Sequence, residues 1–233
     1  MRRAGVLKQP VAHEMTSPYE LDHVFICTEP GAPAADKLVA FGLTEGTPNT
    51  HPGQGTTNRR FFFHNAMLEL LWVHDEAEAA SESVRPTGLY RRWMERHAGA
   101  SPFGICLRPT GDADLEPPFP AFRYHPSFFP TPVFIGANAD RVEQPLILYI
   151  PFARKPKPGT QPIDHPAGFV DVSAVRIIGP GLQSPSVELH AVERVGVAAF
   201  LENALPLMEI GFDGERRGRS HSFEPDLPLK FCW

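Results

Sequence analysis

The stretch YELDHVFICT, residues 19–28, alternates apolar and polar positions and is rich in strand formers, which predicts a strand with His23 near its middle. EPGAP then punctuates the chain. The spacing of apolar residues in AADKLVAFGL predicts a short amphipathic helix with Gly42 as its C-cap. Residues 43–58 read as a variable strand and a turn-rich loop. RRFFFHN and MLELLWV read as two strands joined tightly through Asn65 and Ala66. TGLYRRWMERHAG predicts a second helix, with Leu89, Trp93 and Met94 on its apolar side and Thr87 capping its start. SPFGICLRP, PVFIG, QPLILYIPF, GFVDVSAVRIIGP and VELHAV have strand character. GVAAFLENALP reads as a short helix, and LPLKFCW as a last strand.

The order strand, helix, strands thus occurs twice, without close sequence repetition. It predicts an α+β fold of duplicated modules. A Rossmann fold is disfavoured, because strands and helices do not alternate regularly and no GxGxxG follows the first strand. The expected boundaries are a loose leader over 1–18, a first module with a linking helix and strand over 19–108, a proline-rich connection with added strands over 109–165, and a second, divergent module over 166–233.

Period-two alternation raises one question of chemistry. In MLELLWV, Met67, Glu69 and Leu71 share one face, and Leu68, Leu70 and Trp72 the other. A buried carboxylate without a partner is costly, so Glu69 is expected to point into a cleft while its neighbours pack behind. His23 shares a strand face with Leu21 and Phe25, opposite Asp22, Val24 and Ile26. A neutral imidazole there fits a metal ligand, a proton carrier or a satisfied interior group. The loop HPGQGTTN offers His51, Gly55, Thr56 and Asn58. Its glycines let backbone N–H groups approach a carbonyl, carboxylate or phosphate, or the polar groups simply satisfy one another as a β-turn. Arg59 and Arg60 alternate in facing, so at most one meets the cleft, and Arg59 is the candidate for it. AFRYHPSFFPTPVFI is either a pocket wall with Tyr124 as a polar handle or a packed connector.

Composition narrows the class. The chain has 233 residues, 42% hydrophobic and 21% charged, with net charge -5. No basic excess points to nucleic acid. No run approaches 18 apolar residues, so no membrane span is expected. The three cysteines fit no disulfide or zinc spacing and suggest a reducing, cytoplasmic setting. The 26 prolines concentrate between 109 and 166, predicting extended connections.

LDHVFI, AADKLVAFGL, HPGQGTTNRRFFF and MLELLWV, in that order, resemble the glyoxalase-like members of the vicinal oxygen chelate superfamily. That resemblance implies paired βαβββ modules with curved mixed sheets enclosing a cleft. It implies a divalent metal (Zn, Ni, Mn or Fe) held by His23 and Glu69, with further ligands from the second module. Ser173 and Lys230 stand where those ligands are expected, so the four-donor set is incomplete and a metal-free site stays open. His165 is a supplementary candidate. The implied activity is lyase or isomerase chemistry on a vicinally oxygenated small molecule, with Glu69 as base or metal ligand. The alternative is a non-catalytic protein that binds or sequesters a small molecule. A homodimer is the other partner considered.

Overall fold

The computed structural model describes residues 17–111 and 116–233; most of the expected leader lies outside them. The first module contains β1 (Tyr19–Cys27), α1 (Ala35–Phe41), β2 (Asn49–His51), β3 (Thr56–Phe62) and β4 (Met67–Val73). Gly42 caps α1 in the left-handed conformation at φ 111°, and its amide donates to Leu38 and Val39 carbonyls. After β4 come the single turn α2 (Glu76–Ala79) and α3 (Leu89–Met94), where Thr87 Oγ1 accepts from the Leu89 amide at 3.1 Å.

β5 (Phe103–Pro109), β6 (Ala121–Tyr124), β7 (Val133–Gly136) and β8 (Leu146–Tyr149) complete an eight-stranded mixed sheet of order β2-β3-β4-β1-β5-β8-β7-β6. The two halves mirror each other about the antiparallel β1·β5 pair. β4 runs parallel to β1 as β8 runs parallel to β5. The strand order of the first module is therefore repeated by strands from the proline-rich tract.

Residues beyond 166 form a separate five-stranded sheet. It is built from β9 (Val172–Gly179), α4 (Val187–Val195), β10 (Ala199–Glu202), β11 (Leu207–Phe212), β12 (Ser220–Ser222) and β13 (Leu229–Cys232), in the order β10-β9-β11-β13-β12. Its four neighbouring strands β10, β9, β11 and β13 pair parallel, antiparallel, parallel, as β4, β1, β5 and β8 do. Here the sequence expectation reverses. VELHAV is helical and GVAAFLENALP holds a strand. Ser186 Oγ accepts from the Leu189 amide and Gly196 closes the helix in the left-handed region, so both caps bracket 187–195.

The alternation of β1 and β4 divides the large sheet into two faces. Val24, Ile26, Leu68 and Leu70 join Leu38, Leu189, Val192, Val175, Ile177, Phe212 and Phe231 in one continuous core shared by both sheets. Phe41 packs into it against Phe169, Phe223, Phe231 and Trp233. Phe25, Cys27, Leu71 and Val73 face the other way, into a smaller cluster with Leu89, Trp93, Tyr124 and Ile135.

Candidate functional site

On that second face lies a cavity of about 480 Å³. Met67, Glu69 and Leu71 all line it, as the alternation of β4 requires, and so do Asn58 and Arg60 from β3. β1 contributes in an unexpected way. The β1·β5 register shifts between Leu21 and His23, and this bulge brings the consecutive residues Asp22 and His23 to the cavity together. From β5, Cys106 pairs with His23 and also lines the cavity. The far wall is apolar: Val133 and Ile135 of β7, Leu146 and Leu148 of β8, and Phe129 from the proline-rich tract.

The polar wall is a connected chain. Arg108, fully buried on β5, donates to Glu20 at 3.0 Å and to Asp22 Oδ1 at 2.9 Å. The other Asp22 oxygen meets His23 Nδ1 at 2.6 Å, and His23 Nε2 lies 3.5 Å from Glu69 Oε2. Asn58 Nδ2 donates to Glu69 Oε1, while Asn58 Oδ1 accepts from the Asn49 amide at 2.7 Å. Glu69 is only 5% exposed, yet both its oxygens have neighbours. Burial opposes the charge of Asp22, but His23 and Arg108 outweigh it and hold its carboxyl below the usual range. Burial likewise opposes imidazolium at His23, and its contacts with Cys106 and Asp22 raise its pKa well above the ordinary value. Burial lowers the pKa of His51, which Glu69 partly offsets. Burial also lowers that of Arg60, whose Nε donates to the Thr47 carbonyl at 2.8 Å.

The glycine loop is occupied from within. The Gly53 and Gly55 amides donate to Glu78 Oε2 at 2.7 and 3.1 Å. Gly55 has φ 73°, and a Cβ there would meet the Asp75 carbonyl oxygen at 2.3 Å. Thr56 Oγ1 is shared between His51 Nδ1 at 2.9 Å and Gln54 Nε2 at 2.8 Å. Gly55 and Thr56 therefore shape the loop without lining the cavity, whereas His51, Gln54 and Asn58 do line it. Arg59 faces away and pairs with Glu45 and Asp36, so the cavity arginine is Arg60. Tyr124 lines the cavity, but its hydroxyl donates to the Ser83 carbonyl and burial pushes its pKa up to about 12. His165 sits elsewhere, between the Thr44 amide at 2.9 Å and the Phe62 carbonyl at 2.9 Å.

The donors present decide whether the implied metal fits. Ser173 accepts from the Gly214 amide and Lys230 pairs with Glu209, both in the five-stranded sheet. By strand order, the counterparts of β1 and β4 are β5 and β8, and these present Cys106 and Leu148 to the cavity. Leu148 offers no donor. Among the described residues no group of three or more His, Cys, Asp or Glu is arranged to hold a metal ion. The side chains present do not fit a four-donor divalent centre.

The sequence matches the glyoxalase-like domain family over residues 21–123, which takes in most of β1 through most of β6 and the polar wall apart from Glu20. Those residues are a glyoxalase-like domain of the vicinal oxygen chelate superfamily. No curated protein matches the chain. Solved structures with some likeness include a hypothetical protein from Staphylococcus aureus, 8% identical, covering 91% of this chain and 98% of that one with TM-score 0.49. A hypothetical protein from Bacillus halodurans C-125 is 13% identical, covering 60% and 98% with TM-score 0.40. A xylose isomerase-like TIM barrel/4-hydroxyphenylpyruvate dioxygenase fusion protein is 11% identical, covering 91% and 38% with TM-score 0.45.

Within the glyoxalase-like domain, sequence reasoning located Glu69, His23, His51 and Asn58 at the cavity and missed Asp22, Arg60 and Cys106. Arg60 lies two residues from Asn58 on one strand, so period two was the available signal for it. The bulge that turns Asp22 inward leaves no mark in the alternation.

Proposed function

We propose that this glyoxalase-like protein binds a small molecule with an apolar body and an oxygenated head, without a four-donor metal centre. The carrying observation is the asymmetry of the cavity: Asp22, His23, Asn58, Arg60 and Glu69 on one side, and Val133, Ile135, Leu146 and Leu148 on the other. An enclosed apolar wall with a few fixed polar groups is the usual form of a small-molecule site. On this reading the sheet halves enclose the ligand, and the head meets both donors and acceptors. Arg60 donates, while Glu69, with one oxygen engaged by Asn58, accepts a hydroxyl.

A second reading rests on the approach of His23 Nε2 to Glu69 at 3.5 Å. An imidazole and a carboxylate oriented by Asp22 and Asn58 can pass a proton to and from an oxygenated ligand, giving lyase or isomerase chemistry. The incomplete donor set favours the binding reading as the primary one.

Thermal shift and calorimetry with aromatic and alicyclic alcohols, diols and ketones test both. Such ligands are expected to raise the melting temperature, and Glu69→Gln to weaken hydroxyl-bearing ligands by about tenfold, the effect of one lost charged hydrogen bond. Stoichiometric divalent metal in the purified protein, lost in Glu69→Gln, would overturn the metal-free reading. A failure of every such compound to bind at millimolar concentration would overturn the ligand class.

A further inference from the structure

We infer that the head of the ligand is a carboxylate and that Arg60 is the residue that selects it. This rests on the binding reading above and narrows its ligand class to apolar organic acids. The charges of the polar wall carry the inference. Arg108 is committed to Glu20, to Asp22 and to the Asn65 carbonyl. Lys155 lies 3.0 Å from the second Glu20 oxygen. His23 stands between Asp22 at 2.6 Å and Glu69 at 3.5 Å. Each carboxylate of the wall thus has a guanidinium, ammonium or imidazole beside it. Arg60 is the cation left over. It is the register partner of Glu69 across the β3·β4 pair, yet the Glu69 oxygens are engaged by Asn58 and His23. Among the described residues Arg60 forms no ion pair.

Two contacts fix its guanidinium in place. Nε donates to the Thr47 carbonyl at 2.8 Å, and Cζ lies 5.0 Å from the centre of the Phe62 ring. Nε is therefore engaged, while Nη1 and Nη2 remain, on a residue that lines the cavity. A guanidinium edge offers paired N–H donors in the geometry that a carboxylate accepts bidentately. Because the side chain is held before a ligand arrives, less of its freedom is lost on binding. Arg60 is also half-buried, so part of its hydration is already gone and an anion replaces it. The rest of the cavity limits that anion to one charge. A phosphate monoester brings a second negative charge, which Asp22 and Glu69 on the same wall repel. Val133, Ile135, Leu146 and Leu148 opposite take an uncharged apolar body.

Calorimetry on the full chain tests this with cyclohexanecarboxylate against cyclohexanecarboxamide and cyclohexylmethanol, which keep the ring and lose the charge. The carboxylate is expected to bind at least about tenfold tighter than either, the effect of a hydrogen bond to a charged group. Arg60→Gln should weaken the carboxylate by about tenfold or more. Glutamine keeps an N–H donor, so cyclohexylmethanol should change by less than about threefold, and its retained binding shows that the variant is folded. If circular dichroism shows Arg60→Gln unfolded, Arg60→Lys decides. It keeps the charge and loses the planar fork, so the carboxylate preference should shrink by about threefold or more; an unchanged preference would overturn the bidentate assignment. Cyclohexylmethanol bound as tightly as the carboxylate would overturn the inference and leave the binding reading intact. A carboxylate preference that survives Arg60→Gln would overturn Arg60 as the selecting residue. Binding of none of the three at millimolar concentration would overturn the binding reading itself.

Discussion

His165 accepts the Thr44 amide at Nδ1, so the proton of its neutral ring resides on Nε2, where it donates to the Phe62 carbonyl. Protonating Nδ1 would set two hydrogens against each other, consistent with the lowered pKa that burial gives this residue. His51 is lowered as well, first by burial, while His23 is raised. The signs separate these three in linkage. For His51 and His165 the unfolded chain takes up protons first, so stability declines as pH falls below about 6.5 toward the folded values. For His23 the folded chain keeps its proton longer. Its contribution is complete below about 6.5 and is lost as pH rises through the folded value. NMR titration should therefore place the His23 midpoint above 6.5 and those of His51 and His165 below it. Equal midpoints for the three would contradict the described hydrogen bonds.

The bulge in β1 is the element that makes the site. Without the shift between Leu21 and His23, Asp22 would lie on the core face of the sheet and His23 would lose its orienting carboxylate. Replacing Asp22 by Ala leaves Arg108, 1% exposed, with Glu20 and a carbonyl as its remaining partners. Removing one member of a buried ion pair typically costs ~3–5 kcal/mol. The retained Glu20 contact sets the expectation at the low end, about 3 kcal/mol, measurable as a lower denaturant midpoint with unchanged slope. A loss below about 1 kcal/mol would show that the Asp22 contacts are not coupled to folding. These elements also mark how far sequence carries. Strong local patterns were legible: the helix ending at Gly42, the two strands meeting at Asn65, and the facing of Glu69. Two things depended on non-local pairing, and a third on the caps of one short helix. The partner of β1 across the sheet centre is Phe103–Pro109, not the strand near Val172. Arg60 faces the cavity rather than Arg59 because of its register with Glu69. VELHAV has too few positions to separate a period of two from 3.6, and its caps at Ser186 and Gly196 decide for helix.

For the whole molecule, the shared core ties the two sheets into one cooperative body. The back of the cavity-bearing sheet is covered by residues of β9, β11, β13 and α4. A ligand in the cavity should stabilise the distant sheet as well, by about 2.7 kcal/mol at a hundred times Kd. Hydrogen exchange should then show slower amides in β9 and β11, which follow β1 by at least 145 residues in the chain. Protection confined to β1, β3 and β4 would show that the sheets open independently. The two-faced alternation of the large sheet has a further consequence for divergence. Val24, Ile26, Leu68 and Leu70 hold the sheets together, while Asp22, Phe25, Glu69 and Leu71 shape what is bound. Because these sets occupy largely alternating positions on the same strands, substitutions at one set can change the ligand while the other preserves the fold. Ligand preference is the property this scaffold leaves open to selection.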